Sequence, residues 1–299
     1  MSPRALLHGQ VVAAHGRHYL VQTRDGRLLT CFPRGKKSLL ACGDQVAVVP
    51  TAAGQAAIEA VDPRRSLLYR SDQHRQKLIA ANVTQMVVVL AAVPSFYEEL
   101  LNRCLLAAEH QGIASLIVLN KFDLVEEARR ALDTLQLYAG LGYTVLPLVA
   151  KRDVGPLRRH LEGHLSVLVG QSGMGKSTII NGLLPEAAAR VSDISAALDS
   201  GRHTTTHARL YRLDQDSALI DSPGMQEFGL AHLTLGDLQH AFVEFRPLLG
   251  RCKFNDCRHV SEPGCAVRDA TQRGEVSERR LVIYRKLVDE LARALPYGR

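Results

Sequence analysis

GQSGMGKS, at residues 170–177, is the stretch that decides the fold of this 299-residue chain. Its glycines, Gly170, Gly173 and Gly175, let the backbone turn its N–H groups towards an anion without obstruction by a Cβ atom. Lys176 can then reach the β and γ phosphates of a nucleotide, and the Ser177 hydroxyl can coordinate Mg²⁺. A helix that opens at Lys176 directs the positive end of its dipole at the same phosphates. We expect nucleotide contacts from Gly170, Gln171, Ser172, Gly173, Met174, Gly175, Lys176, Ser177 and Thr178.

Strand-like and helix-like segments alternate around this loop. Apolar runs at 83–93, 114–120 and 165–170 show no polar alternation, as expected for strands that are covered on both faces. The stretch at 100–112 has helical spacing and separates the first two runs. Such alternation predicts a parallel sheet with helices on both faces.

NKFD, at residues 120–123, ends one of the buried strands, where open α/β sheets bind ligands. The Asp123 carboxylate can accept two hydrogen bonds from the guanine edge, which adenine does not offer, and Lys121 can pack along the base plane. The Ala150-Lys151 pair at the next strand end can add a backbone N–H to the guanine carbonyl. We expect guanine contacts from Asn120, Lys121, Phe122, Asp123, Ala150 and Lys151.

Two segments downstream of the phosphate loop are expected to respond to the γ-phosphate. DSPG, at 221–224, places Asp221 to hold the Mg²⁺ shell and Gly224 to approach the γ-phosphate with its N–H. GRHTTTH, at 201–207, offers threonine hydroxyls to the same metal ion. The predicted Mg²⁺ ligands are Ser177, Thr204 or Thr205, and Asp221.

The order of these motifs along the chain is unusual. Most guanine-nucleotide switches begin with the phosphate loop and end with the base-reading tetrad, whereas here the tetrad comes first. A circular permutation keeps the sheet and moves the chain ends, which is tolerated when the original ends lie close together. The new break falls just after DSPG, so a movement driven by hydrolysis would act directly on the C-terminal region.

That C-terminal region contains three cysteines and a histidine with the spacing Cys-x4-Cys-x-His-x5-Cys. Three thiolates and one imidazole complete a tetrahedral Zn²⁺ shell without an open position for water, so the predicted site is structural. A stripe of apolar residues from Leu281 to Leu295 predicts an amphipathic helix packed on this module. The predicted zinc ligands are Cys252, Cys257, His259 and Cys265.

The N-terminal region, about residues 5–65, consists of short segments separated by turns, with an Asp25-Gly26 hairpin signal. This pattern predicts a barrel of about five strands resembling an OB-fold. Residues 1–80 hold 12 Lys and Arg against 5 Asp and Glu, a net charge of +7, while the remaining residues hold 25 of each. A solvated basic surface would explain this charge, but its clustering favours polyanion binding. We expect RNA phosphate contacts from Arg34, Lys36 and Lys37.

Composition excludes several classes of protein. Six cysteines in 299 residues are too few for a disulfide scaffold. The longest apolar runs are far shorter than the roughly 20 residues of a membrane-spanning helix, and no signal-peptide core is visible at the N-terminus. We therefore expect a cytoplasmic protein with no membrane association, and we expect a monomer.

These features together resemble the family of ribosome small subunit-dependent GTPases, the RsgA family. The resemblance covers nearly the whole chain and rests on the order NKFD, GQSGMGKS, GRHTTT and DSPG, joined to the CKFNDCRHVSEPGC motif. The architecture expected is multi-domain α/β, with an OB-like RNA-binding barrel at 1–70, a circularly permuted P-loop GTPase domain at 71–232 and a helical zinc-binding domain at 233–299.

The resemblance also implies an activity. It implies a bacterial factor for late maturation of the 30S subunit, which binds 16S rRNA and hydrolyses GTP when the subunit stimulates it. It points to His203 as a residue needed for turnover, beside Lys176. The residue after Gly224, where many GTPases have a water-orienting Gln, is Met225, so slow intrinsic hydrolysis is expected; Gln226 is a second candidate for orienting water.

Two other functions remain open at the level of sequence. One is a permuted GTPase that acts on the large subunit, with the same enzymology and another partner. The other is a non-enzymatic RNA-binding scaffold that nucleotide stabilises, although Lys176, Ser177 and Asp221 are all retained. A P-loop ATPase or kinase does not fit as well, because it would not need the guanine-reading NKFD tetrad.

Overall fold

A computed structural model describes residues 6–15, 18–34, 40–71, 76–184, 208–222 and 230–294 of the chain. Within these residues, no helix combines the length and the apolar character needed to cross a lipid bilayer. Three architectural parts follow one another along the chain: a barrel, a mixed α/β sheet and a group of C-terminal helices.

The barrel closes through five strands. Their order is β1-β2-β3-β5-β4, and β4 pairs back onto β1, so that no edge is left open. The β2–β3 hairpin turns at Asp25-Gly26, and Val11, Val21 and Val46 are among the buried core residues. This arrangement confirms the predicted OB-like barrel. The strands are β1 (Leu7–Ala14), β2 (Tyr19–Thr23), β3 (Leu28–Pro33), β4 (Gln45–Ala52) and β5 (Gln55–Val61).

A two-stranded hairpin, β6 (Leu67–Ser71) and β7 (Gln76–Ala81), joins the barrel to the rest of the chain. The backbone N–H of Ala81 donates to the Cys42 carbonyl over 2.9 Å, which fixes the hairpin to the barrel loop. The sequence did not predict this hairpin, because the residues between its two strands contain no Asn-Gly or Asp-Gly turn signal.

The central sheet confirms the permuted P-loop fold. Its strands lie in the order β10-β9-β8-β11-β13-β12, and all neighbouring pairs are parallel except β12 with β13. The edge strand β12 also touches β1 of the barrel, through Ala13 and Arg209, which makes the two sheets continuous. The strands are β8 (Gln85–Ala91), β9 (Ala114–Asn120), β10 (Thr144–Pro147), β11 (Leu165–Val169), β12 (Arg209–Arg212) and β13 (Ala218–Asp221).

Helices cover both faces of this sheet, as predicted. Residues of β8 alternate between the faces: Val88 and Leu90 pack with the first pair of helices, and Val87 and Val89 pack with the second pair. The first pair is α1 (Glu98–Gln111) and α2 (Val125–Gly140), and the second pair is α3 (Gly155–Leu161) and α4 (Lys176–Leu183).

The C-terminal part consists of helices that pack against α1. A capping box between Thr234 and Asp237 starts the first of them. The last helix confirms the predicted amphipathic stripe, since Leu281, Tyr284 and Leu287 are buried. The elements are α5 (Leu235–Ala241), a 3₁₀ helix (Val243–Leu248), α6 (Ala266–Gln272) and α7 (Glu278–Ala294).

A buried charge holds this part to α1. The Arg280 side chain has no solvent exposure and forms a two-pronged pair with Glu244, at 2.6 and 3.0 Å. It also donates to the side-chain oxygen of Asn102 on α1, and its guanidinium lies 4.4 Å from the centre of the Phe242 ring. Because these partners lie on α1 and at the start of the 3₁₀ helix, this one side chain fixes α7 against both of those elements.

We expect Arg280→Met to lower the free energy of unfolding by about 3–5 kcal/mol, because it leaves the Glu244 carboxylate buried without a partner. The adjacent Arg279 pairs with Glu98 at 2.5 Å but is 47% exposed, so Arg279→Met should cost less than about 1 kcal/mol. Urea unfolding followed by circular dichroism compares the two variants. Equal losses of stability would show that the burial of Arg280 does not matter.

Candidate nucleotide site and metal centre

The phosphate loop runs from the end of β11 to the first turn of α4, as its motif requires. Gly170 lies against the neighbouring strand, where any Cβ atom would overlap the Val89 carbonyl oxygen. Ser172, Gly173 and Ser177 are exposed at the mouth of the loop, whereas Met174 is buried beneath it. Gln171, Gly175, Lys176 and Thr178 are partly buried. The loop thus presents backbone and hydroxyl groups outwards and is anchored by an apolar side chain below.

Asn120 links the two motifs that are far apart in sequence. Its side-chain amide donates to the Met174 carbonyl of the phosphate loop over 2.9 Å. Its side-chain oxygen accepts from the backbone N–H of Ala150 over 3.1 Å. Asn120 is only 3% exposed, so both bonds are shielded from water. The tetrad, the phosphate loop and the Ala150-Lys151 loop therefore form one rigid unit.

The side chains that the sequence predicts to contact guanine lie around this unit. Asp123 is exposed, and Lys121 has φ of +58°, an uncommon conformation for a residue with a side chain. The Lys121 ammonium donates to the Val93 carbonyl over 2.6 Å, and the Phe122 N–H donates to Leu148. Since the Ala150 N–H is engaged by Asn120, Lys151 is the member of the pair that is left to offer its amide to a ligand.

Two opposite charges lie beneath the mouth of the loop. The Lys176 ammonium donates to the carbonyls of Gly170 and Gln171, over 2.7 and 2.8 Å. Burial lowers the pKa of Lys176, and the negative charge of Asp221 partly opposes that shift. Burial likewise raises the pKa of Asp221, and Lys176 opposes it. The register of β11 with β13 pairs Leu168 with Asp221, which places this carboxyl beside the start of the loop.

A contact between the loop and α1 was not anticipated from the sequence. The Gln171 side-chain oxygen accepts from the backbone N–H of Tyr97, at the start of α1, over 2.8 Å. Gln171 stands at a variable position of the loop motif, so no pattern could identify this role. The same helix α1 carries Asn102, a partner of the buried Arg280.

Several predicted residues lie outside the described part of the chain. These are two lysines of the barrel that we expect to contact RNA, three residues of the predicted switch loop and the three residues that follow Pro223. They are Lys36, Lys37, His203, Thr204, Thr205, Gly224, Met225 and Gln226.

The four C-terminal metal-ligand candidates converge on one point. The ligand atoms of Cys252, Cys257, His259 and Cys265 lie within 4.8 Å of one another. The His259 Nδ1 atom lies 3.5, 3.5 and 3.3 Å from the sulfurs of Cys252, Cys257 and Cys265. Tetrahedral Zn²⁺, with bonds of about 2.3 Å to sulfur and 2.0 Å to nitrogen, places these atoms about 3.5 Å apart. The donor set and its spacing therefore fit zinc.

The surroundings of this cluster hold its ligands in place. The Ala266 N–H donates to the Cys252 sulfur over 3.4 Å, and the Gln239 side chain donates to the Cys257 carbonyl over 3.1 Å. The Tyr284 hydroxyl of α7 donates to the Arg258 carbonyl, between two of the ligands, over 2.7 Å. The cluster is thus built into the same helix group that Arg280 fixes against α1.

Comparison with known proteins gives a consistent result. Residues 61–231 match the model of the family described as RsgA GTPase. The protein named small ribosomal subunit biogenesis GTPase RsgA from Nitrosospira multiformis is 58% identical over 95% of this chain and 91% of its own length. The protein of the same name from Nitrosomonas europaea is 53% identical over 97% of this chain and 94% of its own length.

Solved structures agree with these sequence matches. YjeQ from Thermotoga maritima superposes with a TM-score of 0.75 at 30% identity, covering 96% of this chain and 99% of the other. YloQ, described as a circularly permuted GTPase, gives a TM-score of 0.73 at 25% identity, covering 98% of both chains.

Gly175 tests the role of Asn120, because a Cβ atom there would overlap the Asn120 side-chain nitrogen. We expect Gly175→Ala to displace Asn120 and break both of its buried bonds, at about 2–4 kcal/mol of folding free energy. Gly173→Ala is the control, since its φ is also positive (+78° against +95°) but its Cβ would stand 3.5 Å from Pro94.

A double-mutant cycle completes this test. In an Asn120→Ala background the obstruction is gone, so Gly175→Ala should cost markedly less than in the wild type. Thermal unfolding midpoints of the nucleotide-free proteins provide the measurement. Additive effects of the two substitutions would contradict the proposed link.

Proposed function

Because the chain belongs to the RsgA GTPase family, we propose that it hydrolyses GTP during biogenesis of the small ribosomal subunit. The observation that supports this most directly is the Asn120 link, which joins a guanine-reading tetrad to a phosphate loop in the permuted order. The matched relatives carry the same activity and the same subunit in their names.

We propose that the guanine base lies between the tetrad and the Ala150-Lys151 loop. The exposed Asp123 carboxylate accepts from the guanine N1–H and amino group, and the apolar stem of Lys121 covers one face of the base. Because adenine has neither donor in that arrangement, Asp123 gives the preference for GTP over ATP. Asn120 acts indirectly, by holding both loops at the right separation.

Phosphoryl transfer depends mainly on positioning and charge in P-loop enzymes. Lys176, on binding GTP, would exchange its two carbonyl partners for phosphate oxygens. The oxygens of Ser177 and Asp221, with Thr204 or Thr205, would hold a Mg²⁺ ion, which supplies charge neutralisation at the phosphates. His203 would assist turnover once its loop is ordered on the subunit, and the side chain of Met225 cannot replace a water-orienting Gln.

The barrel would supply the contact with 16S rRNA. Arg34 is described by the structure, where its side chain is 65% exposed and pairs with Glu59 at 2.9 Å. With Lys36 and Lys37 it would bind phosphate, consistent with the net charge of +7 over residues 1–80. We further propose that the protein works as a monomer in the cytoplasm, where ribosomal subunits mature, with domain boundaries near residues 70 and 232.

GTP hydrolysis titrated with purified 30S subunits tests this function. The expected result is a slow basal rate that rises at least about tenfold with 30S subunits, as ordering of a charge-stabilising group would give. ATP and purified 50S subunits serve as controls and should give little change. Stimulation by 50S subunits alone would assign the protein to the large subunit, and hydrolysis of ATP at a similar rate would remove the role of Asp123.

The same assay tests His203. His203→Ala should reduce the stimulated rate by about tenfold or more, without changing the affinity for GTP. His160, on α3, is an exposed histidine whose carbonyl accepts from Gln85 at the first residue of β8, the end of the sheet opposite to the nucleotide loops, so His160→Ala provides a matched control. An unchanged stimulated rate would exclude His203 from the reaction.

The Cys₃His cluster is proposed to hold one structural Zn²⁺ ion. Cys257→Ala should abolish zinc retention, because three ligands leave an open and weaker site. Cys104→Ala, which removes a buried thiol from α1, should keep about one zinc per chain. Metal content by plasma mass spectrometry gives the answer, and equal zinc in both variants would place the metal elsewhere.

A further inference from the structure

Strand β12 lies between the barrel and the strand that carries a predicted Mg²⁺ ligand. On one side it pairs with β13, where Arg209 stands directly opposite Asp221. On its other side the same Arg209 pairs with Ala13 of the barrel strand β1. A single residue of β12 therefore separates the barrel from Asp221.

A side-chain hydrogen bond fixes β12 to the barrel. The Arg212 guanidinium donates to the side-chain oxygen of Gln10 over 2.8 Å. Gln10 is only 7% exposed, and its side-chain amide donates to the Gly43 carbonyl of a barrel loop over 3.3 Å. Both ends of this amide are thus engaged, one within the barrel and one on β12. We call Gln10, Ala13, Arg209 and Arg212 the barrel junction.

Buried groups pack beside the barrel junction. The Cys42 thiol of the barrel donates to the Val12 carbonyl over 3.4 Å, and its sulfur is also hydrogen-bonded to the Leu210 backbone of β12. Val12, Cys42 and Leu210 are all buried and belong to one hydrophobic cluster. The approach of β12 to β1 is therefore a packed contact that excludes water.

The place of β12 in the chain connects the barrel junction to the expected switch segments. The predicted switch loop ends at residue 207, two residues before Arg209, and β13 ends at Asp221, the first residue of DSPG. Both segments are thus joined to β12, one along the chain and the other by strand pairing. In the described part of the chain, β12 has four residues and pairs only with β13 and β1. Because so short a strand makes few ladder bonds, its position depends on both neighbours.

Attachment of the barrel alone does not require this contact. The β6–β7 hairpin already binds the barrel loop through the Ala81 N–H, and the adjacent Asn82 side chain donates to the Gly43 carbonyl over 3.1 Å. A Cβ atom on Gly43 would overlap the Ala81 carbonyl oxygen, so the two backbones are in direct contact there. The barrel junction is therefore a second attachment, and it is the one that ends beside Asp221.

We propose that the Gln10–Arg212 pair is a positioning contact for GTP hydrolysis: when the small subunit binds the barrel, β12 transmits the change to Asp221 and to the end of the predicted switch loop. The inference rests on the proposed function, which makes the subunit the ligand of the barrel. Gln10 and Arg212 lie on β1 and β12, away from the phosphate loop and the tetrad, and act through the backbone of β12. The pair thus governs how far the subunit raises the rate, and not how tightly the subunit binds.

Arg212→Met tests this inference, because methionine keeps an apolar stem and removes every donor to Gln10. GTP hydrolysis by the full chain is measured over a range of 30S concentrations. The maximal stimulated rate should fall about fivefold or more, as loss of a typical coupling between two sites would give. The 30S concentration at half-maximal stimulation should be that of the wild type. An unchanged maximal rate, or equal losses of the basal and the stimulated rate, would refute the positioning role.

Two further variants identify the hydrogen bond as the cause. Arg212→Lys keeps a donor and should restore most of the stimulated rate. Gln10→Met, which removes the acceptor and keeps the length of the side chain, should lower the stimulated rate as Arg212→Met does. The double variant should lose no more than either single variant. Additive losses would show that the two residues act separately and would contradict the proposed pair.

Arg159→Met is the matched control, because Arg159 on α3 is an exposed arginine like Arg212. This variant removes the same charge and should keep the wild-type stimulated rate. An equal loss in Arg159→Met would assign the effect to net charge and overturn the role of the barrel junction.

Amide hydrogen exchange provides a readout that does not depend on activity. In the free protein, peptides that cover β12 should exchange faster in Arg212→Met than in the wild type, whereas peptides from β8 should exchange at the wild-type rate. Faster exchange in both strands would indicate general destabilisation, and unchanged exchange in β12 would show that the pair does not hold the strand. Either result would count against the inference.

Failure of this inference can be distinguished from failure of the proposed function through the wild type. If 30S subunits stimulate the wild type and Arg212→Met alike, the role of the barrel junction is refuted while the function stands. If 30S subunits do not stimulate the wild type, the proposed function is refuted and, with it, the subunit as the ligand that acts through β12.

Discussion

The buried side chain of Asn120 is the interaction on which the nucleotide site depends. It bonds to the phosphate loop on one side and to the Ala150 loop on the other, and Asn120 is the first residue of the tetrad predicted to read the base. Each of these bonds joins the Asn120 side chain, at the end of β9, to a backbone group in a loop that follows another strand of the same sheet. Such bonds depend on the order of strands in the sheet and not on the order of strands in the chain. The site can therefore survive a permutation that moves the tetrad in front of the phosphate loop.

The permutation also changes what the sheet is attached to. Tyr97, the residue that precedes helix α1, donates its backbone amide to Gln171 of the phosphate loop, and Asn102 within α1 accepts from the buried Arg280. Arg103 and Glu109 on the same helix pair with Glu290 and Arg246 of the C-terminal part. The C-terminal part that contains the Cys₃His cluster is therefore held to α1, whose preceding residue contacts the phosphate loop. The Cys₃His cluster, a buried ion pair and the phosphate loop are thus connected through α1.

Elements with strong local signals were predictable from the sequence. The Asp25-Gly26 hairpin, the unbroken apolar strands and the Cys-x4-Cys-x-His-x5-Cys spacing each specify their structure without help from distant residues. Strand β12 was missed because it has only four residues and its pairing comes from β13 and the barrel. The burial of Arg280 could have been suspected, since it precedes Tyr284 and Leu287 by four and seven residues on one helix face. The partners of Arg280 on α1 and the 3₁₀ helix could not be predicted, because they are distant from it in sequence.

The roles proposed for Lys176 and Asp221 imply that the burial of both groups favours the binding of nucleotide and metal ion together. Each group loses hydration, so the pKa of Lys176 falls and the pKa of Asp221 rises, and their mutual attraction only partly offsets both shifts. A bound phosphate would restore a full counter-charge to the ammonium but would also repel the nearby carboxylate. A divalent cation would give the Asp221 carboxylate a full counter-charge but would repel the Lys176 ammonium. Bound as a pair, the two ligands cancel one another's repulsion and satisfy both buried groups, so each ligand should strengthen the binding of the other.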